Sequence, residues 1–97
     1  MDFNIKNKGG NIVSLAREIG YIFQREVSNN KVSLIRPLSR GGYPRFHLYI
    51  ESRDEALHLS LHLDQKRPVY KSATDHAGEY DGTLVESETE RIKTNLA

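Results

Sequence analysis

Residues 11–27, "NIVSLAREIGYIFQREV", carry the strongest periodicity in the chain. Ile12, Leu15, Ala16, Ile19, Ile22 and Phe23 fall at i, i+3, i+4, i+7, i+10 and i+11. That spacing makes one apolar stripe on a helix. Asn11 supplies an N-cap behind Gly9-Gly10, and Asn29-Asn30 supply a left-handed stop. Gly20 falls inside the expected helix, where it costs about 1 kcal/mol relative to Ala; its small size reads as close approach to a neighbouring element. Residues 1–10 then form a flexible N-terminal segment.

Downstream the period changes to two. In "KVSLIRPL" Val32, Leu34 and Leu38 alternate, and Pro37, which cannot donate to a ladder, marks an edge strand. "SRGGYP" is a turn. "RFHLYIE" sends Phe46, Leu48 and Ile50 one way and His47, Tyr49 and Glu51 the other. A short polar turn around "SRDE" leads into "ALHLSLHLD", where Leu57, Leu59, Leu61 and Leu63 alternate with His58, Ser60, His62 and Asp64. Three such strands with short turns make an antiparallel meander with one apolar face. "TLVESETERIKTNLA" is helical: Val85, Ile92 and Leu96 form a thin stripe, Glu88 stands on the same side, and Glu86, Glu88 and Glu90 suit a helix N-terminus. The expected fold is a two-layer α+β domain in the order α-β-β-β-α, with two helices on one face of a three-stranded meander.

The chain has 97 residues, enough for one domain and one modest core. A net charge of +1 argues against a dedicated nucleic-acid binder. The absence of cysteine removes disulfides, thiolate metal sites and thiol nucleophiles. "MDFNIKNKGG" has no signal-peptide h-region, and no apolar run approaches the roughly 20 residues of a membrane span. A cytoplasmic protein is the default expectation. The segment 65–83 is long for a connection and has no period, yet it carries Val69, Tyr70 and Tyr80. It is expected to fold back on the sheet as a functional loop, with Gly78 and Gly82 as turn residues.

A site is therefore expected where this loop meets the polar sheet face: His47, Tyr49, His58, Ser60, His62, Asp64, Lys66, Tyr70, His76, Glu79 and Tyr80, centred on His58, His62, His76 and Glu79. Imidazole and carboxylate donors suit a divalent metal. His58 and His62, four apart in a strand, have Cα atoms about 13 Å apart and cannot share one ion on a straight strand. His62 and Asp64, two apart on one face, can converge. His47 joins them if the hairpin loop is long enough to set it opposite His62, and His76 and Glu79 are further candidate ligands. The same face, through Ile35, Tyr49 and Val69, suits a protein partner or a homodimer. A basic cluster of Arg36, Arg40, Tyr43 and Arg45, with Arg67 and Lys71 on the loop, offers an alternative contact for RNA or DNA; the bland reading is a charged hairpin tip that protects an edge.

Two partial resemblances accompany these readings. "HLSL" at 58–61 resembles one copy of the H-x-[ST]-x motif of the 2H phosphoesterases, in which paired copies use histidine as acid or base and a hydroxyl to hold phosphate. The resemblance implies those roles for His58 and Ser60 in a phosphodiester hydrolase. "HLYI" at 47–50 has Tyr49 where the second hydroxyl belongs, so a second copy would have to come from another chain. The order α-β-β-β-α is similar to that of the double-stranded-RNA-binding domain, whose second helix presents a basic N-terminus to phosphate. Here that end is acidic, and the likeness stops at element order.

The alternation at 57–63 yields a direct expectation. Leu59→Ala should cost about 2–5 kcal/mol of stability in urea unfolding, because Leu59 is central in the apolar face. Ser60→Ala should cost little if its face is only wet.

Overall fold

Strict alternation over residues 45–64 builds the centre of the sheet. The computed structural model describes residues 1–65, 78–79 and 82–96. Strands β4 (Arg45–Arg53) and β5 (Ala56–Asp64) pair antiparallel across the two-residue turn Asp54-Glu55. Phe46, Leu48, Ile50, Leu57, Leu59, Leu61 and Leu63 are all buried on one face. On β3 (Lys31–Pro37), Leu34 joins that layer opposite Leu48.

The segment 11–27 corrects the expected architecture. Helix α1 covers only Ile12–Glu18, and strand β2 covers Ile22–Ser28. Asn11 is the N-cap, its Oδ1 accepting from the Ser14 amide at 3.0 Å. The helix stops at Gly20, whose φ of +98° only glycine adopts cheaply. The Tyr21 amide donates to the Ala16 carbonyl (2.9 Å) and the Gly20 amide to the Arg17 carbonyl (3.0 Å). This is a Schellman cap, with Ala16 and Tyr21 as its buried apolar pair. The apolar stripe therefore breaks: Ala16 and Ile19 are buried, while Ile22 and Phe23 are exposed on β2. Tyr21, off the stripe, is the residue that goes inside.

Two further expectations change as a result. Residues Asp2–Lys6 are not a flexible lead but strand β1, antiparallel to β5, with Phe3 opposite Leu59 and Ile5 opposite Leu57. Strand β3 is not an edge; it lies between β2 and β4, and Pro37 is tolerated because it is the last residue of the strand. Among the described residues, five antiparallel strands run in the order β1-β5-β4-β3-β2, with a short sixth beside β5, so the sheet is not a three-stranded meander. The two-residue strand β6 (Gly78–Glu79) pairs with the far end of β5, so Gly78 lies in a strand rather than a turn. Among the described residues the order is β-α-β-β-β-β-β-α, and the α+β class stands.

Helix α2 (Thr83–Leu96) buries Val85, Glu88, Thr89 and Ile92 at i, i+3, i+4 and i+7. Glu88 is a carboxylate in the apolar layer, with 4% of its side chain exposed. It accepts from the Tyr21 hydroxyl (2.6 Å), from Arg91 Nε and Nη2 (2.8 Å each) and from Arg36 Nη1 (3.4 Å). Arg91 Nη2 also donates to the Ile19 carbonyl at 2.8 Å, tying the end of α1 to α2. Burial alone raises the Glu88 carboxyl, but bonds from Arg91 and Tyr21 and the charges of Arg36 and Arg91 outweigh it. The net result lies below the ordinary value of 4.5. Among the described residues, no helix is long and apolar enough to cross a membrane.

A carboxyl lowered by folding stabilises most above its unfolded pKa, and that stabilisation is lost as pH falls through the folded value. Glu88→Gln should therefore lower stability by about 2–3 kcal/mol at neutral pH, the scale of a hydrogen bond to a charged group. It should also flatten the loss of stability below pH 4.5. Urea unfolding at pH 7 and pH 3.5 checks both; a variant with the slope of the parent would assign the acid sensitivity elsewhere.

Candidate metal centre

The leucines of β5 face the helices, so its intervening residues face away from them. The tight turn at Asp54-Glu55, with Asp54 at φ +45°, sets the pairing of that polar face. Arg45 lies opposite Asp64, His47 opposite His62, Tyr49 opposite Ser60 and Glu51 opposite His58. No long loop is needed: the shortest kind of hairpin turn brings His47 opposite His62.

His47, His62 and Asp64 converge, and one donor atom from each lies within 4.8 Å of the other two. His62 Nε2 is 2.9 Å from Asp64 Oδ1, and His47 Nδ1 is 3.6 Å from Asp64 Oδ2. The far nitrogen of His47, Nε2, is 2.6 Å from Ser33 Oγ on β3. The imidazole centroids are 4.8 Å apart. Tyr49 packs beside them at 4.6 Å from His47 and 6.4 Å from His62, and Lys31 Nζ lies 5.4 Å from the Tyr49 ring centre. The side chains of His47, His62 and Asp64 keep 12%, 14% and 18% of their exposure. They are largely desolvated but still open to a small ion.

Asp64 holds the cluster together. Burial by itself raises its carboxyl, but the nearby imidazole of His47, the hydrogen bond and charge of His62 and the bond from Arg45 more than offset it. The carboxyl is held well below the usual carboxylate range. Arg45 Nε donates to Oδ2 at 3.2 Å, leaving Oδ1 toward His62. An arginine on one oxygen and an imidazole on the other fix the carboxylate plane.

The other expected residues disperse. His58 stands four positions up the strand with its Nδ1 2.8 Å from Asn4 Oδ1 on β1, outside the cluster. Ser60 is half-buried between Tyr49 and Asp2. Arg36 passes to the helix face and pairs with Glu88, and Arg45 pairs with Asp64 while lying 4.6 Å over the Tyr43 ring. Within the hairpin group this leaves Arg40, which is exposed. Lys66, Arg67, Tyr70, Lys71, His76 and Tyr80 lie outside the described residues, as does the side chain of Glu79. The backbone of Glu79 pairs with Leu63.

Sequence reasoning passed over Ser33 and Gln24. Ser33 is fully buried, and its hydroxyl donates to Gln24 Oε1 at 2.7 Å as well as meeting His47. Alternation places Ser33 on the polar side of β3, which was a usable signal. Gln24 gave none, because its segment read as helix.

Asp64→Ala should cost about 1–3 kcal/mol in urea unfolding, since it leaves Arg45 and His62 without their shared acceptor. Glu51→Ala, which removes an ion pair to an exposed arginine, should cost under about 1 kcal/mol. Equal costs would mean that Asp64 organises nothing. No family model, curated protein or solved structure matches the chain, so the reading of this cluster rests on its own geometry.

Proposed function

We propose that this protein is a divalent-metal-binding module whose ligands are His47, His62 and Asp64. The observation that carries the reading is the convergence of two imidazole nitrogens and one carboxylate oxygen within 4.8 Å on adjacent strands. Bonds of about 2.0–2.1 Å at tetrahedral angles place ligand atoms about 3.4 Å apart. The two His–Asp separations, 2.9 Å to Oδ1 and 3.6 Å to Oδ2, lie on either side of that value and involve the two carboxylate oxygens in turn.

The donor set favours zinc, iron(II), manganese or cobalt over softer metals, because it offers nitrogen and oxygen and no thiolate. Three protein donors leave at least one position for water or a ligand, the pattern of a working site rather than a closed structural one. Arg45, at 3.2 Å from Asp64 Oδ2, supports the carboxylate from outside the coordination sphere. An ion would take the place of the hydrogen between His62 Nε2 and Asp64 Oδ1. This reading confines ligand binding to one corner of the polar sheet face, at the end of β5 where β6 pairs.

Zinc and manganese titrations of the purified full chain test the reading, followed by the imidazole signals of His47 and His62 in NMR and by calorimetry. Saturable one-to-one binding that moves both histidines is expected. His62→Ala and Asp64→Ala should weaken it by more than the about 10–100-fold that outer-shell losses cost. Unmoved imidazole signals, or binding that survives His62→Ala, would sink the proposal.

A further inference from the structure

We infer that Ser33 and Gln24 form the outer shell of this cluster and select Nδ1 of His47 as the atom that faces the ion. The function of this relay rests on the metal reading above, whereas the tautomer it sets is a property of the metal-free protein. Ser33 is fully buried, so its hydroxyl must be satisfied inside the protein. A hydroxyl has one hydrogen and two acceptor sites. The hydrogen of Ser33 goes to Gln24 Oε1 at 2.7 Å. Only acceptor sites remain for His47 Nε2, 2.6 Å away. Nε2 must then carry the ring hydrogen and donate it to Ser33.

A neutral His47 in this tautomer has its lone pair on Nδ1. That nitrogen faces Asp64 Oδ2 at 3.6 Å. A lone pair opposed to a carboxylate oxygen is unfavourable unless a cation lies between them. The relay therefore holds His47 in the form that rejects a hydrogen bond to Asp64 and accepts a metal. Ligating histidines characteristically donate their second ring N–H to such a partner, which fixes ring orientation and tautomer.

The backbone explains how Gln24 reaches this position. In the β2–β3 ladder Phe23 pairs with Leu34 and Arg25 with Ser33, and the register shifts between them. Gln24 is the extra residue of that irregularity. Such bulges re-aim a side chain; here the redirected side chain crosses to Ser33 on the polar face. The relay then runs over three neighbouring strands, from Gln24 on β2 through Ser33 on β3 to His47 on β4.

The test is long-range 1H–15N correlation of the imidazoles in EDTA-treated protein at a pH where His47 is neutral, with zinc affinity measured in parallel. In the parent, His47 Nε2 should give the protonated-nitrogen signal and Nδ1 the unprotonated one. Ser33→Ala should move the balance toward Nδ1–H, where Asp64 can accept, and weaken zinc binding about 10–100-fold. Ser33→Thr, which keeps the hydroxyl, should restore both. Because Gln24 is exposed, its variants should leave the core undisturbed. Gln24→Glu keeps the acceptor and should preserve the tautomer. Gln24→Lys offers only donors, turns the Ser33 hydrogen toward His47 and should favour Nδ1–H. An Nδ1–H tautomer in the parent, or a tautomer indifferent to both positions, overturns the inference even if zinc binds. The expected tautomer changes without zinc binding would uphold the relay and overturn the metal reading instead.

Discussion

At Gly20 the backbone adopts a left-handed conformation with φ +98°, and the course of the chain on either side follows from it. It ends α1 after seven residues and closes the Schellman cap between Ala16 and Tyr21. It also aims Tyr21 inward, so that its hydroxyl reaches Glu88 on α2. The next residues are thereby delivered to the sheet as β2. Without that turn, 22–28 would continue along a helix, β3 would be an edge, and Gln24 would not reach Ser33. A side chain here would meet positive φ and also crowd Arg36, whose Nε is 3.2 Å from where a Cβ would stand.

The buried carboxylate of Glu88 and the half-buried one of Asp64 show two uses of the same chemistry. Glu88 sits among apolar side chains and is neutralised by two arginines and a tyrosine, a closed set that ties α1, α2 and β3 together. Removing one partner of such a set costs more than the set contributes over an apolar core. Asp64 is also paired, but beside it stand two imidazoles, side chains that can ligate a metal. That difference in partners is what makes one group structural and the other a candidate ligand.

Much of the candidate site was legible because a strand has a period of two. The leucines and the polar residues of β5 sort to opposite faces whatever the rest of the chain does, and His62 and Asp64 must share a side. Strand rise also separates His58 from His62, and the structure keeps them apart, with His58 bonded to Asn4 instead. The pairing of His47 with His62 was conditional on the turn, since one residue of slip would send His47 to the other face. Misreading 11–27 had a physical cause. Ile22 and Phe23 match helical spacing from Ile19, but a short β strand after a glycine cap can place apolar residues at the same intervals. The β-branched and aromatic content of 21–27 and the glycine before it were the available counter-signals.

The sequence by itself determined the alternating centre of the sheet, the apolar layer of leucines, the C-terminal helix and the shared face of His62 and Asp64. Each of these depends on local period, which neighbouring residues set among themselves. Only the tertiary structure decided that Asp2–Lys6 is a strand, since two apolar residues in five gain a ladder only when an edge of β5 is there to pair. It alone decided that Arg36 serves Glu88 and Arg45 serves Asp64, because charge pairing is settled by which elements meet. It also brought Gln24, Ser33 and His47 into one line. Those residues are far apart in sequence and lie on three strands, and their contact exists only through strand register and a bulge that no local pattern encodes.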